Sequence, residues 1–313
     1  MPQPQSGITE NRAWAPTGRE QDIDCNLCGS SGKRLVAEEN RYNVVRCKEC
    51  GLLYVSPQPT DEDLTEFYAQ YFPEESGDIW GEMMRRNFDL DSEYLLRKTG
   101  ARGKVLDIGC GHGKFLRRFA ERGWDARGLD FSPEAAAEAN RIDGVQVSQG
   151  EFEPGLFEAE SFDIVTAWYV LEHARDPMAF VNEAFRILRP GGMFGMRVPN
   201  MIFSNVFLAM KKIPKMDKLL FALNIDTDNK SSHFNVIDPP AHLYGFTPKT
   251  IRKLLSDTGF SDISIIPSQP VEVGTTGTVV AKKVIFGSTS LVSLVTGHRF
   301  NPAPAVTVYA RKT

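Results

Sequence analysis

The sequence predicts an α/β protein in which a parallel β-sheet is wound with helices behind a small cysteine-bearing module. Three observations carry that prediction. From Lys104 onward, short apolar runs alternate with helical stretches, as in strands joined by crossover helices. The first run passes directly into DIGCGHG, from Asp107 to Gly113. Four of the five cysteines form two C-x2-C pairs, Cys25/Cys28 and Cys47/Cys50.

Composition sets the frame. The 313 residues correspond to about two domains, or one large domain with insertions. Hydrophobic residues make up 42% and charged residues 24%, and 36 Lys+Arg against 40 Asp+Glu give a net charge of −4. With no basic field, a nucleic-acid partner would need a local patch. The first twenty residues carry no apolar core behind a basic start, so they do not read as a signal peptide; disorder is expected over 1–20. The apolar stretch from Val284 to Gly297 is too short and too rich in Ser and Thr to span a bilayer. The expected location is the cytoplasm.

The module over 21–59 is read from its cysteines. Eighteen residues separate the two C-x2-C pairs, and Gly29 and Gly51 follow them. Glycine allows the tight turn in which backbone amides face the sulfurs of a thiolate knuckle. Disulfides suit a secreted chain, and a redox pair needs a single C-x-x-C at a strand-to-helix turn. Four thiolates at this spacing read instead as a closed structural zinc site, Cys25, Cys28, Cys47 and Cys50. The metal would substitute for a core that so short a segment cannot build. Between the pairs, VAEENRYNVVRC reads as a β-ribbon. Cys110 is a packing residue.

Residues 60–100 read as linking or lid helices. Leu64, Phe67, Tyr68, Tyr71 and Phe72 line one helical face, capped by Thr60 or Asp61. Core packing is the favoured role, with Tyr68 and Tyr71 also placed to reach over a ligand pocket. A second helix runs from Trp80 to Lys98. The domain then occupies 101–313, with insertions at 201–240 and 270–304. Its strands are Val105 to Ile108, Ala126 to Leu129, Val145 to Ser148, Phe162 to Ala167 and Met193 to Val198. Helices follow at Lys114 to Arg122, from Pro133, at Pro177 to Leu188 and from Pro248, the last with Thr247 as its N-cap.

The glycine spacing narrows the ligand. A dinucleotide fold takes G-x-G-x-x-G, and Lys114 occupies its third glycine position. Here the pattern is G-x-G-x-G, with Asp107 ahead of it and Asp130 at the end of the second strand. The loop admits close backbone approach, and a strand-end carboxylate can accept both hydroxyls of a ribose.

VLDIGCGHGKFL, GLDFSPEA, SFDIVTAWYVLEHARDP and RILRPGGMFGMRVPN resemble, in order, the motifs of class I S-adenosylmethionine-dependent methyltransferases. DPPAHLYGFTPKTIRKLLSDTGF is similar to the segment before that superfamily's sixth strand. The run CKECGLLYVSPQPTDEDLTEFY resembles a subgroup with an N-terminal zinc ribbon, some of whose members methylate sugars or other small metabolites. The resemblance covers Cys25 to about Ser268, together with the final strand at Val306 to Arg311. It implies a Rossmann-like seven-stranded sheet and S-adenosyl-L-methionine as cofactor.

It also implies site roles. Gly109, Gly111 and Gly113 would line the methionine and ribose part of the cofactor. Asp107 would order the loop and meet the amino group, Asp130 would hold the ribose, and Phe131 would lie against the adenine. Glu151 and Phe152 would meet the adenine edge, and Trp168 would face the cofactor. Transfer to a hydroxyl or carbon acid needs a base. His173 is one candidate, with ordering of its loop by Glu172-His173 as the competing role. His242 with Tyr244 is a second candidate and His233 a weaker third; His112 reads as a loop residue and His298 lies in the tail.

In the first insertion, Ile202, Phe203, Val206, Phe207 and Met210 form an apolar face followed by Lys211, Lys212, Lys215 and Lys218. A substrate lid, docking on a membrane surface and packing on the same domain are the three readings. The second insertion, with Val284 to Phe286 and Leu291 to Val295, is expected to pack beside the first. The leading function is methyl transfer to a small metabolite, sugar or lipid-linked acceptor. The alternatives are an RNA or protein methyltransferase and a non-catalytic cofactor-binding scaffold. Lys33, Arg34, Arg41, Arg46 and Lys48 would form the ribbon's recognition patch, offset by Glu38, Glu39 and Glu49.

Overall fold

The computed structural model describes residues 16–71, 79–205, 236–269, 276–296 and 301–313. Most of the segment expected to be disordered lies outside these, but residues 16–20 are tied down, with Arg19 bridging Asp63 at 2.6 Å and Glu62 at 2.8 Å.

The N-terminal module is a small sheet. β1 (Lys33–Glu39) and β2 (Tyr42–Cys47) form a hairpin, and β3 (Leu53–Val55) pairs with β2. The two-residue turn, Asn40-Arg41, has φ of 48° and 68°, the left-handed pair that matches strand twist in a tight hairpin. α1 (Asp61–Tyr71) follows. Of its two candidate caps, Thr60 takes the role: its Oγ1 accepts from Asp63 N at 3.2 Å, and Asp63 Oδ2 receives Thr60 N at 3.3 Å, a reciprocal cap.

The larger unit runs α2 (Ile79–Thr99), β4 (Lys104–Ile108), α3 (Lys114–Ala120), β5 (Asp125–Asp130), α4 (Pro133–Ala139), β6 (Val145–Gln149), β7 (Phe162–Trp168), α5 (Pro177–Ile187) and β8 (Leu188–Pro199). It continues with β9 (Tyr244–Gly245), α6 (Pro248–Thr258), β10 (Phe260–Pro267), α7 (Thr276–Val295) and β11 (Ala305–Lys312). Seven strands form one sheet in the order β10-β11-β8-β7-β4-β5-β6. β11 is antiparallel to both neighbours, and the joins from β8 to β6 are parallel. The chain winds outward from β4 on one side and from β7 on the other. That reversal leaves a crevice at the carboxyl ends of these two strands, where such sheets bind ligands.

β9 belongs to the other sheet. Leu53 pairs with Gly245 and Tyr54 with Tyr244, so a segment from beyond the first insertion completes the ribbon's sheet. One apolar core accordingly includes Cys25, Leu27, Val45 and Tyr54 of the ribbon together with Val181, Ile251 and Leu254 of α5 and α6. The ribbon's Asn26 caps α5, its Oδ1 accepting from Met178 N at 3.0 Å.

α2 is likewise part of the domain rather than a linker. Buried Asp91 on α2 accepts from Arg197 Nη2 on β8 at 2.6 Å and from Tyr309 OH on β11 at 2.6 Å. Arg197 Nε reaches Thr307 Oγ1 at 3.0 Å and Ser268 Oγ at 3.2 Å, and its guanidinium lies 5.2 Å from the Trp168 ring centroid.

The first insertion begins with a helical turn in which Met201 packs with Val236, Ile237 and the ribbon residues Tyr42, Val44 and Leu53. Both ends of the insertion therefore pack on the protein itself; Val206, Phe207, Met210, the four lysines and His233 lie outside the described residues. The second insertion's relation to the first falls largely on residues outside those described. Val284, Leu291, Leu294 and Val295 on α7 are exposed. Among the described residues, no helix is long and apolar enough to cross a membrane.

The Asp91–Arg197 pair yields a prediction. Asp91→Ala leaves a buried guanidinium uncompensated and is expected to cost about 3–5 kcal/mol in urea unfolding. The apolar double replacement Asp91→Leu with Arg197→Met is expected to cost less than that single change.

Candidate functional site

β4 ends at Ile108, and the chain turns through Gly109, Gly111 and Gly113, whose φ values are 66°, 52° and 71°. These are left-handed conformations that glycine adopts without strain. Gly109 N donates to Leu129 O at 2.7 Å, which fixes the loop against the end of β5. A Cβ on Gly109 would lie 2.6 Å from Val170 Cγ2, and one on Gly113 would lie 2.9 Å from Ala139 Cβ. Gly111 differs, because a Cβ there meets nothing within 4 Å. The middle of the loop borders open space.

Asp130, at the end of β5, accepts from Gly111 N at 2.7 Å and from Ser132 N at 3.0 Å. The carboxylate that orders the glycine loop is therefore Asp130 rather than Asp107. Asp107 turns to β7, where Thr166 Oγ1 donates to it at 2.6 Å. Burial pushes the Asp107 carboxyl up to about 8; the Thr166 hydrogen bond opposes this and the charge of Asp130 adds to it. Phe131 stands out from the end of β5 with 47% of its surface exposed. Glu151 is exposed, while Phe152 is half-buried with its ring edge-on to Phe180 at 4.9 Å.

Trp168 departs from expectation. It is buried, edge-on to Phe115 at 5.1 Å and beneath the Arg197 guanidinium. It packs between β7 and α3, with its indole Nε1 buried and without a hydrogen-bond partner.

A second cluster follows β7. Its Val170 is the side chain that covers Gly109, so this turn rests on the glycine loop. Glu172 is buried and neither of its carboxylate oxygens has a hydrogen-bond partner; burial raises its pKa to about 8. His173 and His242 are half-buried, with ring centroids 4.7 Å apart. His173 Nδ1 lies 2.6 Å from Ala241 O, and His242 Nδ1 lies 2.8 Å from Ile237 O. A carbonyl only accepts, so each Nδ1 carries the proton and each Nε2 the lone pair. Burial and the neighbouring His242 lower the His173 pKa to about 3, and burial lowers that of His242.

Tyr68, on α1, donates to Ala241 O at 2.8 Å and lies 3.1 Å from His173 Nδ1. Core packing was the favoured role for its helical face; in the structure it reaches the histidines. Tyr244 does not. Its hydroxyl donates to Arg175 O at 3.1 Å, and its ring stacks with Tyr54 and Phe246 in the core shared with the ribbon. Packing accounts for Tyr244, and Tyr68 is the tyrosine beside the histidine pair.

Glu39 was legible only as a surface charge of the ribbon. In the structure it is buried and its carboxylate accepts from Val236 N, from Ile237 N at 3.0 Å and from Asp238 N at 3.2 Å. Asn40 Nδ2 adds a bond to Pro239 O at 2.5 Å, and Val55 N one to Leu243 O at 2.9 Å. The ribbon thus grips the chain on both sides of His242. No local pattern marks Glu39 for this, since its partners are nearly 200 residues away. The basic patch is also broken up: Lys33 Nζ is held by Asp22 at 2.5 Å and Ile23 O at 3.0 Å, and Arg46 is half-buried.

The four ribbon cysteines carry free thiols, with Cys25 and Cys50 sulfurs 3.5 Å apart and those of Cys28 and Cys47 also 3.5 Å apart. All four sulfurs lie within 4.8 Å of one another. Zinc–sulfur bonds of about 2.3 Å in a tetrahedron place sulfurs about 3.8 Å apart, so the set fits a zinc ion.

A family model described as a methyltransferase domain matches residues 79–265, and the chain belongs to that family. The ubiquinone biosynthesis O-methyltransferase of Psychrobacter arcticus is 31% identical over 173 residues, which are 52% of this chain and 61% of that protein. The enzyme of the same name from Pseudomonas fluorescens strain Pf-5 is 35% identical over 106 residues, 32% of this chain and 46% of that one. The chain spans less than two thirds of the length of these curated relatives. A solved structure from Listeria monocytogenes, assigned to the S-adenosylmethionine-dependent methyltransferases, shares the fold at a TM-score of 0.50 and 18% identity, over 73% of this chain and 99% of that one. The sheet is that of the class I methyltransferases.

The raised carboxyl at Asp107 predicts a pH-dependent stability difference. The folded state keeps its proton up to about 8, while the unfolded chain ionises at an ordinary 3.8. Between these values folding takes up a proton, so stability falls as pH rises. Asp107→Asn escapes that cost. Thermal melts of the ligand-free proteins are expected to show a Tm advantage for Asn that is smallest near pH 4 and grows toward pH 8.

Proposed function

We propose that this chain transfers a methyl group from S-adenosylmethionine to a hydroxyl or carbon acid of a small metabolite, sugar or lipid-linked acceptor. The observation that carries the reading is the glycine loop pinned to Asp130 at the sheet's reversal point, with open space at Gly111 and an exposed Phe131 beside it. The relatives named as ubiquinone biosynthesis O-methyltransferases favour oxygen as the atom methylated and a small molecule as acceptor.

When bound, S-adenosylmethionine supplies a methyl group already activated by its sulfonium. The chain's task is to hold donor and acceptor in line. Gly109, Gly111 and Gly113 let the backbone approach the methionine and ribose portion. Asp130 accepts the ribose hydroxyls, Phe131 lies against the adenine, and Glu151 and Phe152 border its edge. Asp107 meets the amino group, and Trp168 supports the loop from the core. The imidazoles of His173 and His242, each with a free lone pair on Nε2, receive the proton that leaves the acceptor. Cys25, Cys28, Cys47 and Cys50 hold a structural zinc ion, and the ribbon it stabilises positions His242.

An RNA or protein acceptor draws no support from the ribbon, whose Lys33 and Glu39 are spent on internal bonds. Nor does any observation favour the non-catalytic scaffold over the enzyme.

Three measurements test the reading. Calorimetric titration of S-adenosylmethionine into Asp130→Ala is expected to show affinity lowered by ~10–100-fold, the loss of charge-assisted hydrogen bonds worth about 1.5–3 kcal/mol. Unchanged affinity would sink the cofactor assignment. Release of S-adenosylhomocysteine, screened over hydroxyl-bearing acceptors, is expected to fall by ~100-fold or more in His242→Gln with cofactor affinity retained. Because burial keeps His173 neutral far below 6.5, the acid limb of the wild-type rate profile should lie well below pH 6.5. A limb centred on pH 6.5 would point to an ordinary, solvated histidine instead.

A further inference from the structure

Among the described residues, outside the glycine loop and the cysteine knuckles, one cluster is built like a ligand sphere. A carboxylate oxygen of Glu172 and one ring nitrogen each of His173 and His242 lie within 4.8 Å of one another. Glu172 is 1% exposed, and both of its oxygens lack a partner. Burying a polar group without a hydrogen-bond partner is costly. It persists where something satisfies it.

The histidines are prepared in the manner of metal ligands. Ligating imidazoles characteristically donate the other ring N–H to a backbone carbonyl or carboxylate, which fixes the tautomer and aims the lone pair. Here Ala241 O holds His173 Nδ1 at 2.6 Å and Ile237 O holds His242 Nδ1 at 2.8 Å. Both are also half-buried rather than sealed, whereas the carboxylate is enclosed. Around this sphere, Tyr68 OH secures Ala241 O at 2.8 Å, and Glu39 secures the amides that precede His242.

We propose that Glu172, His173 and His242 form a second metal site, for a divalent first-row transition ion such as zinc or iron. Two imidazoles and a carboxylate suit that class better than magnesium or calcium, which take oxygen ligands. Three protein ligands are the number of a catalytic rather than a structural site, leaving coordination positions for an oxygen ligand. An acceptor hydroxyl bound there would be acidified, its proton passing to solvent because the ion then holds the Nε2 lone pairs; that last consequence rests on the methyl-transfer reading, whereas the metal site itself does not.

The test is metal binding without cofactor or acceptor. Protein with its cysteine site filled by zinc is titrated with Co2+ alone, read by calorimetry and by visible absorption. Wild type is expected to bind one further equivalent, with d–d bands and no thiolate-to-cobalt charge transfer, the spectrum of nitrogen and oxygen ligands. Removing a partner outside the ligand sphere already costs about 10–100-fold in metal affinity. Glu172→Gln and His242→Ala are therefore each expected to lose the second equivalent, while the retained cysteine-bound zinc reports that the fold is intact. The proposal is overturned if wild type binds no further equivalent, if the added cobalt shows thiolate charge transfer, or if both variants bind it as wild type does. A chain that binds the second ion yet fails to bind S-adenosylmethionine would refute the methyl-transfer reading and leave the metal site standing.

Discussion

The pairing of β3 with β9 is the constraint from which the rest of the arrangement follows. Only two residue pairs join these strands, Leu53 with Gly245 and Tyr54 with Tyr244. They nevertheless fix the chain immediately after His242, while Glu39 fixes it immediately before. A buried carboxylate surrounded by three backbone amides is a strong anchor, because its hydrogen bonds are charge-assisted and its alternative is an unpaired charge. The cysteine knuckles hold the ribbon, the ribbon holds the loop, and the loop presents an imidazole to the turn after β7. A module that would be too small to fold by its core alone thereby becomes part of the wall of the candidate site.

Two kinds of buried ionisable group coexist in this molecule. Asp91 is compensated by Arg197 and Tyr309 and serves to join α2, β8 and β11. Asp107, Asp130 and Glu172 lie at or just beyond the carboxyl ends of β4, β5 and β7, and burial raises all three pKa values. For Glu172 the burial is opposed only by its own backbone amide among the described residues. Concentration of under-compensated carboxyls at one edge of a sheet marks where ligands are to be received rather than where stability is gained. The two ligand-ready clusters touch through Val170, which covers Gly109 and lies three residues before His173.

Legibility in the sequence followed the range of the interactions. The parallel strands, the N-caps at Thr60 and Thr247, and the glycine turns are set by residues a few positions apart, and the structure has them where periodicity and capping place them. The cysteine quartet was legible because thiolate chemistry leaves a spacing signature. The burial of Trp168 and Tyr244 was not legible, because a large ring at a strand end looks the same whether it faces a pocket or a core, and only packing decides. The interior positions taken by Glu39 and Glu172 were not legible at all. An acidic residue reads as surface by default, and its burial depends on partners supplied by another part of the chain.

By itself, then, the sequence determined the class of fold, the order of its strands' local signals, the glycine loop with its two acids and the four-cysteine set. These depend on backbone conformation and on covalent proximity, which nearby residues specify. Tertiary structure alone decided that the ribbon shares a sheet and a core with the domain, that Asp130 rather than Asp107 orders the loop, and that Tyr68, Glu172, His173 and His242 meet. Those outcomes depend on which distant segments pair. Pairing is set by the burial and hydrogen-bond satisfaction of the whole chain at once, a quantity that no local stretch of sequence contains.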